Sequence, residues 1–252
     1  MGSVGRELAW DGCVNVRDLG GLETASGGRT RPGAVVRADN VRRLSAAGWR
    51  AAYAHGVRRL VDLRFQGEER GEPPAPETME VVEVSLFGHF DRKTEQEFNR
   101  WVSDADDFPL AFAAGYVRML ETRTEQVAAA VAAVAECDPD HGVLVHCFAG
   151  KDRTGIVSAL LLDLADVPTE AIVADYAASE PNMTALFAEW LASAESETEL
   201  ELRRRVACAP VATMQALLTW LHDTAGGADG YLRAAGLTDA QLGRLRARLV
   251  ER

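Results

Sequence analysis

No run of the 252 residues is long and apolar enough to read as a membrane span, and the N-terminus lacks the short apolar core of a cleaved secretion signal. A soluble, cytoplasmic protein is expected, unless it leaves the cell by a route without a cleaved signal. Basic residues are in the minority. The 27 Lys and Arg stand against 38 Asp and Glu, for a net charge of −11 and a pI near 5.0. That balance speaks against nucleic acid and against an anionic membrane as partners. It does not speak against a small anionic ligand, because remote carboxylates are screened beyond about 8–10 Å and the local field decides. Cysteines are few: the four, at 13, 137, 147 and 208, have neither disulfide pairing nor metal-ligand spacing. A reducing compartment follows, with Cys13, Cys137 and Cys208 as small buried hydrophobes, or one of them as a redox partner of Cys147. Repeats, low-complexity stretches and linkers are also missing, which leaves a single domain over residues 1–252.

What the chain does have is concentrated in Val143-Leu-Val-His146-Cys147-Phe148-Ala149-Gly150-Lys151-Asp152-Arg153-Thr154-Gly155. Gly142 to His146 is a Val-rich run that reads as a buried strand. Ile156 to Leu164 is apolar almost all round and reads as a buried helix. The tight loop between them starts at Cys147 and ends at Arg153, with five residues in the gap. A loop entering a helix N-terminus points backbone N–H groups into one concavity, and the helix dipole adds positive charge there. Such a bowl can hold a phosphate-like dianion. The planar fork of Arg153 suits two phosphate oxygens at once. Cys147, at the bottom, is placed to act as a thiolate nucleophile toward phosphorus. A Walker-type loop is ruled out, since it needs Gly at 145 and Ser or Thr at 152, where the chain has Val145 and Asp152.

His146, Cys147, Arg153 and Thr154 resemble the H-C-x5-R-S/T signature of the cysteine-dependent protein tyrosine phosphatases. The longer form HCFAGKDRTG is similar to the H-C-x-x-G-K-D-R-T-G loop of their single-domain bacterial and fungal branch. Asn15-Val-Arg17-Asp18-Leu-Gly20-Gly21 resembles that branch's N-x-R-D-x-G-G opening, and Asp62-Leu63-Arg64 its D-L-R strand end. The likeness runs from about residue 15 to about 155; beyond about 180 it is one of general character. Arsenate reductases can share the C-x5-R spacing but need further cysteines for a disulfide relay, and rhodanese loops have a shorter gap.

The resemblance implies hydrolysis of phosphomonoesters, protein phosphotyrosine foremost, through a cysteinyl-phosphate intermediate. Cys147 would be the nucleophile. Phe148, Ala149, Gly150, Lys151, Asp152, Arg153 and Thr154 would bind the phosphate, with His146 and Arg64 in support. Thr154 can donate its hydroxyl to the leaving sulfur, and inorganic phosphate would be product and inhibitor. No metal and no cofactor is called for. Two rivals stand beside this reading. One is a dual-specificity or phosphoinositide phosphatase, which Lys151 favours as an extra cation. The other is a phosphate-binding pseudophosphatase, although those usually lose the Cys or the Arg. The general acid is the open position. The chain has no Trp-Pro-Asp, and Asp107-Phe108-Pro109 has the letters in another order. The branch resemblance favours Asp152, with Asp91 in reserve and a purely loop-stabilising Asp152 as the alternative.

Around this centre the pattern predicts an α/β fold. It has a mostly parallel central sheet of about four or five strands flanked by helices, and a helical C-terminal third. Strands are expected over 33–37, 57–63 and 79–85, with 79–85 nearer an edge. Ser45 should cap a helix to about His55, with Leu44 and Trp49 as its hydrophobic staple. Residues 1–33 read as turns and short extended pieces, in which Arg17 either makes a structural hydrogen bond, the favoured reading, or reaches toward the active site. Helices are expected over 109–122, 124–136, from Pro168 to about 178, around 183–191, over 210–223, and from a Thr238 capping box to about 250. Gly226-Gly227 should end the chain's penultimate helix. Ser196 to Arg205, with Glu199–Arg203 and Glu201–Arg205 pairs, is either a helical lid or a helix packed on the core with a solvated tip. Phe87 to Pro109 reads evenly as a lid insertion or a surface helix.

Overall fold

The structure, a computed structural model, describes residues 5–68, 71–87, 100 and 102–251. Five strands form one sheet: β1 (Arg17–Asp18), β2 (Val35–Ala38), β3 (Val57–Asp62), β4 (Glu80–Glu83) and β5 (Gly142–His146). They lie in the order β1-β2-β5-β3-β4. All pairs are parallel except β1 with β2. The Val-rich β5 is central and buried along its whole length, as parallel strands covered on both faces are. The pattern 79–85 shortens to β4, which is indeed an edge strand.

Strand alternation sends side chains to two cores. Val36, Ala38, Leu60 and Leu144 join Trp10, Leu44 and Ala52 on one face. That face is covered by α1 (Ala46–Ala54). Ser45 caps it by accepting from the Ala47 and Gly48 amides, and Leu44 and Trp49 pack in the same cluster. Val35, Val61, Val143 and Val145 point the other way into the larger core. The remaining helices build that side: α2 (Phe108–Thr122), α3 (Thr124–Ala135), α4 (Asp152–Leu164), α5 (Thr169–Ala177), α6 (Ser179–Ala192), α7 (Glu197–Ala207), α8 (Val211–Ala225), α9 (Gly227–Ala234) and α10 (Asp239–Leu249). Thr238 and Gln241 form the expected capping box of α10.

The antiparallel β1 is one of the short extended pieces expected in the first 33 residues; its polar Arg17 and Asp18 are buried because distant partners satisfy them. Two departures from the sequence reading have physical causes. Gly226 does end α8, in a left-handed conformation with φ of 72°. However, a new helix follows at once, because Asp163 accepts from the Ala228 amide at 2.7 Å and so caps α9 from 65 residues away. Helix α4 starts at Asp152 rather than Ile156, so Arg153 and Thr154 already belong to its first turn. Most of the segment 87–109, including Asp91, lies outside the described residues. Among the described residues no helix is long and apolar enough to cross a membrane.

Register aligns the carboxyl ends of the three inner strands. Ala38 of β2 and Asp62 of β3 both stand level with His146 of β5. In an open parallel sheet that end is where ligands bind, and the Cys147 loop begins there.

Candidate active site

Cys147 is only 2% exposed and lies at the foot of the loop, while its neighbour Phe148 is 50% exposed on the rim. Gly150 has φ of +65°, and an added Cβ would come within 2.4 Å of the Ala38 carbonyl, so a side chain there would push the loop off the end of β2. Asp152 and Arg153 follow as the first two residues of α4, whose N–H groups and dipole favour an anion in front of them.

Arg153 is 9% exposed and forks onto a carboxylate missing from the sequence reading. Its Nη1 and Nη2 donate to Glu68 Oε2 at 2.7 Å and Oε1 at 3.0 Å. Glu68 is itself held by the Phe65 amide at 2.8 Å. Burial opposes the Arg153 charge, but the Cys147 sulfur, Glu68 and Asp152 hold its pKa above the usual arginine value. Nothing local marks Glu68, which lies in a charge-rich loop among equivalent acids.

His146 is fully buried. Its Nδ1 faces the Cys147 carbonyl at 3.4 Å and its Nε2 lies 3.6 Å from Asp62 Oδ2. Burial lowers its pKa to about 4 against the pull of Asp62, so it is neutral at pH 7. A neutral, enclosed ring suits the supporting role expected of it. The Thr154 hydroxyl is also fully buried and has no hydrogen-bond partner among the described residues. Arg64 spends its guanidinium on Asp62, Asn40 and Glu72.

A tyrosine phosphatase family profile matches residues 8–251, nearly the whole chain. The chain belongs to that family. Two relatives agree. The phosphatase is 31% identical over 228 residues to a tyrosine-protein phosphatase of Nostoc commune, covering 86% of this chain and 74% of the relative. It is 28% identical over 278 aligned residues to the triple specificity protein phosphatase PtpB of Mycobacterium tuberculosis, covering 97% of this chain and 99% of the relative.

Two loop residues of the phosphatase point away from simple phosphate contact. Lys151 is 1% exposed, and its ammonium donates to the Val206 and Cys208 carbonyls at the end of α7, with 2.7 Å to Cys208. A cation there complements the helix dipole. The side chain therefore ties the loop to α7, and the extra cation that would favour a polyphosphorylated ring is already engaged. Asp152 accepts a short hydrogen bond from the Tyr116 hydroxyl on Oδ1, and Lys151 Nζ is 3.5 Å from the same oxygen. Burial holds Tyr116 protonated, well above the usual tyrosine pKa, so it serves as donor. Oδ2 has no partner among the described residues.

The Glu199–Arg203 and Glu201–Arg205 pairs of α7 form at 2.6 and 3.4 Å. No residue of α7 is fully buried, but Leu202 and Val206 pack on the larger core. All four cysteines are free thiols; Cys137 is buried as expected, whereas Cys13 and Cys208 are half-buried. Among the described residues no group of three or more His, Cys, Asp or Glu is arranged to hold a metal ion.

Proposed function

We propose that the loop from Cys147 to Arg153 is the phosphoryl-transfer centre and that protein phosphotyrosine is its preferred substrate. The observation that carries this reading is a nearly buried Cys147 at the end of the central strand, facing a helix N-terminus with Arg153 in its first turn. The Cys147 thiolate attacks phosphorus and the bond to the ester oxygen breaks. Asp152 gives a proton to that oxygen as it leaves. Water then attacks the thiophosphate, Asp152 takes the proton, and phosphate and thiolate are released. The loop N–H groups and Arg153 hold the equatorial oxygens as charge spreads in the transition state. Thr154 donates to the sulfur as it departs.

Depth and walls support the aryl ester. The sulfur lies at the floor, so the phosphate must be carried inward on a stem. Phe148 stands on the rim, and Phe65 and Phe87 stack with centroids 5.5 Å apart. The Phe65 ring lies 4.9 Å from the Arg153 guanidinium, next to where the phosphate would sit. A phenyl ring fits such walls better than a seryl methylene. A panel of phosphotyrosine peptide, phosphoserine peptide and phosphoinositide should give the highest kcat/KM for the first. Equal or higher turnover of the phosphoinositide would overturn the tyrosine preference.

The position of Asp152 beside Arg153 in the first turn of α4 supports the general-acid assignment, with Oδ1 anchoring the side chain to Tyr116 and Oδ2 without a partner among the described residues. Asp152→Asn should cost about 10²–10⁴ in kcat on aryl phosphates with poor leaving groups, and far less on those with good ones. It should also flatten the alkaline limb of the pH–rate profile. Equal losses on both substrate types, with the limb intact, would leave Asp152 as a loop anchor only.

A further inference from the structure

Three consecutive carbonyls of the loop are each taken by a donor from outside it. Phe148 O accepts from the Asn40 amide at 3.0 Å. Ala149 O accepts from Asn15 Nδ2 at 2.9 Å. Gly150 O accepts from Arg37 Nη2 at 2.7 Å. A trans peptide is planar, so its N–H points opposite to its C=O, and no peptide here is cis. Pulling these three carbonyls outward therefore turns the N–H groups of Ala149, Gly150 and Lys151 to the other side, toward the bowl.

The side-chain donors are themselves fixed by a buried network. Arg17 Nη1 donates a short bond to Asn15 Oδ1. Because a guanidinium can only donate, this orients the Asn15 amide with its NH₂ group toward Ala149. Arg17 also donates to the Asp175 carbonyl at 2.9 Å and to Ser179 Oγ at 3.1 Å. Arg37 reaches Asp175 Oδ2 at 2.5 Å, and Arg6 donates to Asp175 Oδ1 at 3.1 Å. Asp39 accepts from the Asn15 amide at 3.0 Å. Burial alone would raise the Asp175 pKa, but Arg37, Arg17 and Arg6 bring it down to about 2. Burial, with help from Arg37, lowers Arg17 to about 10, so both remain charged at pH 7.

We propose that Asn15 and Arg37 are positioning residues of the phosphatase, holding the Ala149–Gly150 and Gly150–Lys151 peptides with their N–H groups toward the phosphate. Arg17 and Asp175 act one step further back by orienting those two donors. The N-terminal Asn15–Gly21 stretch thereby gains a role in phosphate binding without touching substrate. This rests on the reading of the loop as the phosphate site.

The test compares Asn15→Ala, Arg37→Lys and Asp175→Asn with the wild type. Readouts are the affinity for tungstate, the pH dependence of Cys147 alkylation by iodoacetate, kcat/KM on an aryl phosphate, and thermal melting. Asn15→Ala removes the bond to Ala149 and the bonds that Asn15 Oδ1 receives from Arg17 and Asn182, but it leaves every buried charge in place and is the variant least able to disturb folding. It should weaken tungstate binding about tenfold or more and move the alkylation midpoint to higher pH, because a turned peptide no longer stabilises anions; kcat/KM should fall by up to about 100-fold. Arg37→Lys keeps the charge but cannot serve Gly150 and Asp175 together, and should show the same pattern. Asn15→Ala that melts lower yet keeps wild-type tungstate affinity and alkylation midpoint would overturn the inference. Should the Arg37 and Asp175 variants fail to fold, Asn15→Ala decides alone. A wild type that neither binds tungstate nor loses turnover on Cys147→Ser would instead overturn the phosphate-site reading.

Discussion

Cys147→Ser is expected to remove turnover and leave the binding of phosphate analogues in place. The serine hydroxyl is not ionised near neutral pH, and the adjacent His146 is buried and turned to the Cys147 carbonyl and Asp62 rather than to the hydroxyl. The bowl is otherwise intact, because Arg153 and the loop N–H groups do not depend on the sulfur. Removing the nucleophile of a covalent hydrolase costs on the order of 10⁶ in kcat. Steady-state kinetics on an aryl phosphate should show a loss of that order, while calorimetry with tungstate should show affinity within a few-fold of the wild type. Turnover near wild type in the serine variant would remove Cys147 from the mechanism. Tungstate affinity lost together with turnover would mean that the sulfur shapes the loop.

Arg153→Lys should be nearly as damaging, for a different reason. The wild-type guanidinium forks onto Glu68 through Nη1 and Nη2, which leaves the Nε side of the same plane for phosphate. An ammonium is a point charge and cannot present two edges at once. It either answers Glu68 or answers the substrate. Loss of one transition-state donor of this kind costs about 10²–10³ in kcat, and tungstate affinity should fall with it. The role of Glu68 is readable in the same experiment through a double-mutant cycle. If Glu68 aligns Arg153, Glu68→Gln lowers kcat/KM in the wild type and has little further effect in Arg153→Lys. If Arg153→Lys bound tungstate like the wild type, the bidentate role would be wrong.

The loop was readable in the sequence because its information is local. A Val run, a fixed Cys–Arg spacing and an apolar helix lie within about two dozen residues, and each follows from periodicity or from the letters themselves. The Ser45 and Thr238 caps were readable for the same reason. What escaped depended on partners far along the chain. Arg17 in β1 is buried because Asp175 and Ser179, 158 and 162 positions on, receive it. Helix α9 is capped by Asp163 from across the fold. Glu68 meets Arg153, 85 residues on, and its own neighbourhood offers no sign of that. Lys151 is the instructive case: the sequence places a cation in a phosphate loop, and only the folded chain turns its ammonium to the end of α7.

The supports of the loop also bear on the order in which this protein folds. Asn15 meets Ala149 across 134 positions of chain, and Arg37 meets Asp175 across 138. Contacts of such long range carry a large loop-closure cost and slow the search for the native state. Helices can form from nearby residues, but β5 pairs only with the distant β2 and β3, and the supported loop also needs the segment at Asn15 and the fifth helix docked on it. If these supports aim the loop N–H groups as proposed, a chain loosened at Asn15 should lose tungstate affinity before it loses the central sheet.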